Sequence, residues 1–348
     1  MAVEPVVYGA SERPPRGDYA RAGADYTCAQ NYAAYTEADH DTYRRLYERQ
    51  SRLLPGLASQ AFIDALPSLG ERDRIPRFDE VNERLYRATR WELVAVPGLI
   101  PEVPFFTLLA NRKFPVTDWI RTPQEFDYIV EPDIFHDLFG HVPLLFNPVF
   151  ADYVQRYGEG GLKAERLGAC EMLSRLYWYT IEFGLIRESE GLRAYGAGIL
   201  SSSGELPYSV QSPEPQRLPL QLARTMRTRY KIDTFQQTYF VIDSFQQLFD
   251  MTAADFSQAA LAPPPPPIAA TPNPVIDTRN TNLDDGVNRC PKCGATDIQL
   301  RPSAGMLVCL FCRHEWAEAR LDDGSMVVAH VPARRDGLPI PGDRVQAS

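Results

Sequence analysis

The chain has 348 residues, of which 44% are hydrophobic, and a formal net charge of −9 at pH 7. Its length and apolar content favour one catalytic domain of about 250 residues with a small appendage. The acidic balance argues against nucleic acid or anionic lipid as a general partner, because both carry negative charge. No apolar run approaches the ~20 residues that cross a bilayer, and the charged residues 1–24 predict neither a signal peptide nor a transit helix.

Three helices are predicted in the first half of the chain. Thr36 can cap the first helix, which ends at the Pro-Gly pair after residue 54. Asn147 can cap the second, which has a proline in its first turn and is predicted to end before Gly158. The third is predicted over residues 163–186, where apolar side chains recur at helical spacing.

Short extended segments are predicted at residues 91–96 and 195–200, where glycine and β-branched residues interrupt the helical pattern. Residues 25–262 are therefore predicted to form a mostly α domain with minor β, after an N-terminal tail over 1–24. Residues 263–267 are five consecutive prolines, and the composition up to residue 288 favours an extended linker over a packed core. A domain boundary is predicted over 263–288.

Four cysteines follow the linker as two CxxC pairs separated by 15 residues, which is typical of a structural zinc site. These four are Cys290, Cys293, Cys309 and Cys312. Residues 289–320 are therefore predicted to form a small β zinc ribbon, and residues 321–348 a flexible tail. The expected role of the ribbon is docking to an unknown protein partner, while its slight basic excess leaves nucleic-acid binding open.

Two histidines spaced HxxxGH, His136 and His141, lie in an apolar stretch that favours neutral, metal-binding imidazoles. Glu182 follows 41 residues after His141 and can add one carboxylate from a neighbouring helix. Two nitrogens and one oxygen on one face of an ion suit non-heme Fe(II), which must also hold O2. Two other interpretations stay open: a zinc hydrolase, although the HExxH motif is absent, and an ion pair between Glu182 and an arginine such as Arg187.

Six stretches of the chain carry a more specific pattern. They are residues 96–101 (VPGLIP), 114–121 (FPVTDWIR), 131–143 (EPDIFHDLFGHVP), 177–185 (YWYTIEFGL), 195–202 (YGAGILSS) and 232–236 (IDTFQ). With them, residues 25–256 closely resemble the catalytic domain of the pterin-dependent aromatic amino acid hydroxylases, most of all the short bacterial phenylalanine 4-monooxygenases. The resemblance implies hydroxylation of L-phenylalanine to L-tyrosine with Fe(II), O2 and tetrahydrobiopterin or a related pterin.

The resemblance also implies roles for individual residues. It places His136, His141 and Glu182 as the iron ligands. Arg121 would bind the carboxylate of the amino acid through its planar fork, and Asp133 would hold that arginine in place. The residues implied to line the aromatic substrate pocket are Pro132, Trp178, Phe183, Gly198 and Ser201. Those implied to meet or flank the pterin are Gly98, Ile100, Phe105, Asp137, Tyr177 and Glu205.

Hydroxylation of tryptophan, or of phenylalanine at another ring position, is the nearest alternative, because a small difference in pocket shape discriminates only weakly. A different alternative is a non-catalytic, ligand-binding adaptor that uses the zinc ribbon. No heptad helix follows the catalytic domain, so a monomer or weak dimer is expected. Cys28 and Cys170 are expected to be free thiols, as in a cytoplasmic protein.

Overall fold

The computed structural model describes residues 16–129, 131–232 and 234–253, and the backbone of four strands between residues 298 and 330. The chain divides into two compact units, residues 1–275 and 276–348, and the division falls inside the predicted linker. Within the described residues, no helix combines the length and apolarity that a bilayer crossing requires. Cys28 and Cys170 are both free, as expected.

The first unit is mostly helical, which confirms the predicted fold class. The α-helices are α1 (Glu37–Leu53), α2 (Gln60–Ala65), α3 (Phe78–Thr89), α4 (Glu102–Ala110), α5 (Val142–Leu145), α6 (Pro148–Arg166), α7 (Cys170–Tyr177), α8 (Ala197–Leu200), α9 (Glu205–Gln211), α10 (Leu222–Thr225) and α11 (Phe245–Ala253). Thr36 caps α1, and it forms a reciprocal capping box with Asp39. The predicted start and end of this helix are confirmed.

The second and third predicted helices are wrong in extent. Helix α6 starts after Asn147 as predicted but runs through Gly158 to Arg166. A Cβ at Gly158 would lie 2.5 Å from Ala110 N, so the glycine allows α6 to pack closely against α4. This packing outweighs the loss of about 1 kcal/mol that glycine costs inside a helix.

Beyond the end of α6, the predicted continuous helix over 163–186 is three separate elements. Gly168 adopts a φ of +65° between α6 and α7, a left-handed conformation that ends a helix. Helix α7 then passes into a π-helical turn, Trp178–Glu182, before the chain becomes a strand. The apolar periodicity persists because all three elements bury one side, so it cannot distinguish them.

Two small sheets complete the first unit. Strands β1 (Glu92–Val96) and β2 (Lys113–Thr117) are parallel, and β1 confirms the extended segment predicted at 91–96. The second sheet has the order β4-β3-β6-β5, with β3 (Gly184–Glu188), β4 (Gly191–Ala194), β5 (Gln216–Pro219) and β6 (Thr238–Ile242). The extended segment predicted at 195–200 is wrong, because most of it forms α8.

The second unit contains a four-stranded antiparallel sheet in the order β10-β9-β8-β7. Its strands are β7 (Ile298–Arg301), β8 (Met306–Cys309), β9 (Glu315–Arg320) and β10 (Met326–His330). Strand β10 lies in the predicted flexible tail. The proline and glycine residues on both sides favoured a flexible tail, although the segment between them contains two consecutive β-branched residues. Cys290, Cys293 and Cys312 lie outside the described residues, so the predicted zinc site stays a prediction.

Candidate active site

Two π-helical turns carry the candidate metal ligands. The first spans His136–His141 and the second Trp178–Glu182. In an α-helix, residues five apart point about 140° away from each other, so the HxxxGH spacing alone would separate the imidazoles. The wider π turn brings both histidines to one side, and such turns are frequent at functional sites.

The side chains of His136, His141 and Glu182 converge, with ligand atoms that all lie within 4.8 Å of one another. His141 Nε2 is 3.0 Å from Glu182 Oε1, and His136 Nε2 is 3.7 Å from Glu182 Oε2. The two Nε2 atoms are 3.2 Å apart. The structure thus brings together the three residues, whose role as iron ligands stays a prediction.

Ser201 fixes the tautomer of His136. The Ser201 hydroxyl donates to Ala197 O at 2.9 Å, and its oxygen lies 2.8 Å from His136 Nδ1. Because a hydroxyl has one proton, His136 Nδ1–H must donate to Ser201, which leaves Nε2 with a free lone pair. Burial lowers the pKa of His136 to about 4, so the ring is neutral and ready to bind a cation.

Glu182 needs a positive partner where it lies. Burial acts to raise its pKa, but the two histidines offset this and the pKa is lowered, so the carboxylate stays charged. Arg187 pairs with Asp243 at 3.8 Å, and the alternative of an ion pair between Glu182 and Arg187 is therefore wrong. Two imidazole nitrogens and one carboxylate oxygen around a shared point fit a divalent iron with open positions.

Arg121 and Asp133 form a buried ion pair with 4% and 0% side-chain exposure. Arg121 Nε donates to Asp133 Oδ2 at 2.8 Å, and Nη2 donates to Oδ1 at 2.9 Å. Asp133 Oδ1 also accepts from the His136 amide at 3.0 Å, which ties the arginine to the π turn. One edge of the guanidinium is thus held by the protein, and further N–H donors remain for a carboxylate.

Aromatic rings form a flat wall near Glu182. The rings of Trp178 and Phe183 are 4.6 Å apart, and Tyr230 stacks on Trp178 at 4.1 Å and 11°. A Cβ at Gly198 would lie 2.7 Å from Phe183 Cζ, so glycine is needed for this approach. Pro132, which directly precedes Asp133, is half-buried.

Two of the predicted pterin-side residues, Phe105 and Tyr177, belong to a second aromatic cluster. The rings of Phe105 and Tyr177 are 5.5 Å apart, and the Tyr177 ring is 6.3 Å from that of His141. Asp137 is buried, which raises its pKa to about 7, and it accepts a bond from the Thr117 amide at 2.7 Å.

The loop that contains Gly98 and Ile100 connects β1 to α4, and side chains from other segments donate hydrogen bonds to its backbone. Tyr19 donates its hydroxyl to Leu99 O at 2.8 Å, and Trp119 Nε1 donates to Pro97 O at 3.0 Å. Ile100 is buried, and Phe105 packs against the same apolar cluster. The N-terminal segment thereby fixes the backbone of the loop predicted to meet the pterin.

Glu205 is predicted to flank the pterin, and that role stays a prediction; its carboxylate accepts hydrogen bonds from Gln236 and Tyr239 in the structure. Its Oε1 accepts bonds from the Gln236 amide at 3.0 Å and from the Tyr239 hydroxyl at 2.7 Å, which joins it to the wall that contains Trp178. Gln236 and Tyr230 were missed as site residues. Gln236 ends the IDTFQ stretch, which was a usable indication, whereas no sequence pattern singled out Tyr230.

Comparison with known proteins agrees with this geometry. Residues 10–259 match the family model described as biopterin-dependent aromatic amino acid hydroxylase. A phenylalanine-4-hydroxylase of Ralstonia nicotianae is 60% identical over 234 residues, which are 67% of this chain and 75% of that protein. One from Chromobacterium violaceum is 58% identical over 234 residues, covering 67% and 79%.

A crystal structure of the Chromobacterium violaceum enzyme with iron and phenylalanine bound is also similar. It has a TM-score of 0.66 and 57% identity, and the match covers 68% of this chain and 87% of that chain. The predicted family and fold are therefore confirmed. This chain belongs to the biopterin-dependent aromatic amino acid hydroxylases.

Proposed function

We propose that this protein is a monooxygenase that hydroxylates L-phenylalanine to L-tyrosine with Fe(II), a tetrahydropterin and O2. The observation that carries the proposal is the convergence of His136, His141 and Glu182 beside an aromatic wall and a prepositioned arginine. Relatives named phenylalanine-4-hydroxylase, at 46% to 60% identity in five bacteria, support this substrate.

The chain's own residues would bind and orient the substrate. The free edge of Arg121 offers a planar fork to the amino acid's carboxylate, and Asp133 keeps that fork from turning. Trp178 and Phe183 offer flat apolar surfaces to the benzyl ring and exclude water from it. Because Asp133 also bonds to the His136 amide, the carboxylate anchor and the metal ligands share one rigid frame.

His136, His141 and Glu182 would hold the iron, and Phe105 with Tyr177 would flank the pterin. When bound, the iron and the pterin activate O2 and supply the electrons. The protein's contribution is position: His136 presents a neutral Nε2 because Ser201 accepts its Nδ1–H. This second contact is of the kind that orients metal-binding histidines in general.

The deciding assay incubates the protein with Fe(II), tetrahydrobiopterin, O2 and each aromatic amino acid in turn. Substrate-dependent oxidation of the pterin, with tyrosine formed from phenylalanine, is the expected result. A hydroxyphenylalanine other than tyrosine, or preferential hydroxylation of tryptophan, would correct the regiochemistry or the substrate. No substrate-dependent pterin oxidation at all would favour a ligand-binding adaptor.

We also propose that residues 289–320 bind a structural zinc ion through the two CxxC pairs. The spacing of the cysteines supports this, and so does the antiparallel sheet of β7 to β10, because so small a sheet usually needs a bound metal ion or a disulfide for stability. Metal analysis of the whole protein should find zinc in addition to iron. Replacing both Cys290 and Cys293 with serine should abolish zinc binding and leave the iron content unchanged.

The ribbon's expected role is docking to a protein partner in the cytoplasm. The low cysteine use of the first unit supports a reducing compartment, since both of its cysteines are free. A monomer or weak dimer is proposed for the whole chain. Light scattering over a concentration series and fractionation of cells that express a tagged chain test these two proposals.

A further inference from the structure

Gln236 is a buried amide with 4% exposure that connects several parts of the aromatic wall. Its Oε1 accepts a bond from Trp178 Nε1 at 3.1 Å. Its Nε2 donates to Lys231 O at 2.7 Å and to Thr234 O at 3.3 Å. One side chain therefore contacts both the indole and the loop that follows Tyr230.

Trp178 packs against two other rings. Tyr230 stacks on it at 4.1 Å with an interplanar angle of 11°, and Phe183 lies 4.6 Å away at 32°. Stacking holds the indole in a plane but leaves it free to slide or turn within that plane. A hydrogen bond at its single N–H removes this freedom, because an indole has no other polar atom.

Gln236 is itself held by a buried carboxylate. The backbone N–H of Gln236 donates to Glu205 Oε1, which also accepts from the Tyr239 hydroxyl. Tyr239 belongs to β6, at the centre of the sheet, and is fully buried. A chain of contacts thus runs from the sheet through Glu205 and Gln236 to Trp178.

We propose that Gln236 is a positioning residue that fixes the rotation of the Trp178 indole within its plane, and through it the affinity and selectivity for the aromatic substrate. The inference rests on the proposed function. It assigns Glu205 to the support of the substrate wall, through Gln236, and not to the pterin. The geometry makes a clear distinction: loss of Gln236 should affect the aromatic substrate and spare the pterin.

The test replaces Gln236 with methionine, which has a similar length and no hydrogen-bonding group toward the indole. In the iron-loaded full-length protein, Gln236→Met should raise KM for L-phenylalanine about tenfold, the effect of one buried donor left without a partner. The KM for tetrahydrobiopterin should change by less than about twofold. The ratio of kcat/KM for phenylalanine over tryptophan should fall.

Gln237→Leu is the matched control, because Gln237 is the adjacent glutamine, is exposed and does not bond to Trp178. It should leave both KM values unchanged. Gln236→Glu keeps an acceptor for Trp178 Nε1 and should recover much of the phenylalanine KM. If Gln236→Met does not fold, Gln236→Glu compared with Gln236→His still varies the acceptor at this position.

A second readout does not depend on turnover. The emission of Trp178 is obtained by subtracting the spectrum of Trp178→Phe, and its change during an anaerobic phenylalanine titration reports binding. Gln236→Met should shift this emission and weaken the binding about tenfold. In the Trp178→Phe background the same substitution should add less than about twofold, because the two residues act as a pair.

The outcomes separate the two claims. If the wild-type protein neither binds nor hydroxylates phenylalanine, the proposed function fails. If the wild type does both, and a folded Gln236→Met keeps the phenylalanine KM and the Trp178 emission, the positioning role is wrong. An equal rise in the pterin KM, or an effect that persists in full without the indole, would also overturn it.

Discussion

Two buried polar clusters lie side by side in this protein, and they differ in how their charged and polar groups are paired. Arg121 and Asp133 satisfy each other with two side-chain bonds, and Asp133 takes two more from backbone amides. The His136, His141 and Glu182 cluster instead turns its ligand atoms inward on a shared point. The first cluster is complete as a framework, whereas the second presents three ligand atoms that could hold a metal ion.

The difference shows how to recognise a ligand site among buried charges. Burial acts to raise the pKa of Asp133, but Arg121 beside it offsets this and the pKa is lowered. Glu182 also has a lowered pKa, and the group that lowers it most is His141, whose own pKa is raised, whereas His136 has a pKa near 4 and carries no charge. A buried carboxylate whose partners are imidazoles, which lose their protons when they bind a metal, indicates a candidate site for a metal ion.

The largest effect is expected where the incomplete cluster loses its carboxylate. Glu182→Ala should lower both bound iron and turnover more than about a hundredfold, because two neutral imidazoles hold Fe(II) weakly without an anion. The ribbon's zinc should remain. Metal analysis and product formation measure both effects, and Glu190→Ala, at an exposed carboxylate, is the control. Normal iron content in Glu182→Ala would remove this residue from the site.

A smaller but still large effect is expected when the complete cluster is broken. Asp133→Leu leaves a buried guanidinium without its partner and should lower the free energy of unfolding by about 3–5 kcal/mol. Adding Arg121→Met removes the unpaired charge, so the double variant should regain much of that stability without regaining affinity for phenylalanine. Denaturant unfolding and KM measure the two quantities. A double variant as unstable as Asp133→Leu would contradict the self-contained pair.

The pH dependence of stability sharpens the comparison, because Glu205 is a further buried carboxylate and has no cation beside it among the described residues. Burial raises its pKa from the ordinary 4.5 to about 7. The folded state therefore holds a proton that the unfolded chain releases, so stability is lost as pH rises between 4.5 and about 7.

Glu205→Gln should abolish this loss, because glutamine does not ionise. The difference in free energy of unfolding between the variant and the wild type should therefore shift in favour of the variant by up to about 3 kcal/mol from pH 4 to pH 8. Unfolding curves at both pH values test the sign. The opposite sign would contradict the raised pKa: the free energy of unfolding of the wild type, relative to that of Glu205→Gln, would then increase with pH. Such a result would mean that the charged Glu205 carboxylate stabilises the protein, as the charged Asp133 carboxylate does.

The smallest effect is expected from removing the second unit. Deletion of residues 263–348 should change kcat and KM for phenylalanine by less than about twofold, because all described site residues lie before residue 254. Steady-state kinetics of the truncated and full-length proteins are the measurement, with circular dichroism to establish folding. A folded but inactive truncation would make the ribbon part of the catalytic machinery.

Much of this architecture could be predicted from local patterns. The Thr36 cap of α1, the strand at 92–96 and the candidate metal-binding set followed from spacing and residue type. The end of α6 was misjudged, because Gly158 is a helix breaker by propensity but a contact point by packing. The helix predicted through residue 186 also failed, since β6, one of the two strands that pair with β3, lies far away in sequence.

The sequence by itself determined the family and the helical class and indicated the candidate metal-binding set, because these depend on residue types within short stretches of the chain. Only the tertiary structure decided how the set converges: two π turns rotate His136, His141 and Glu182 onto one point. It also decided that hydrogen bonds connect Glu205 to Trp178 through Gln236. Contacts between residues distant in the chain depend on packing across elements, which local periodicity does not encode.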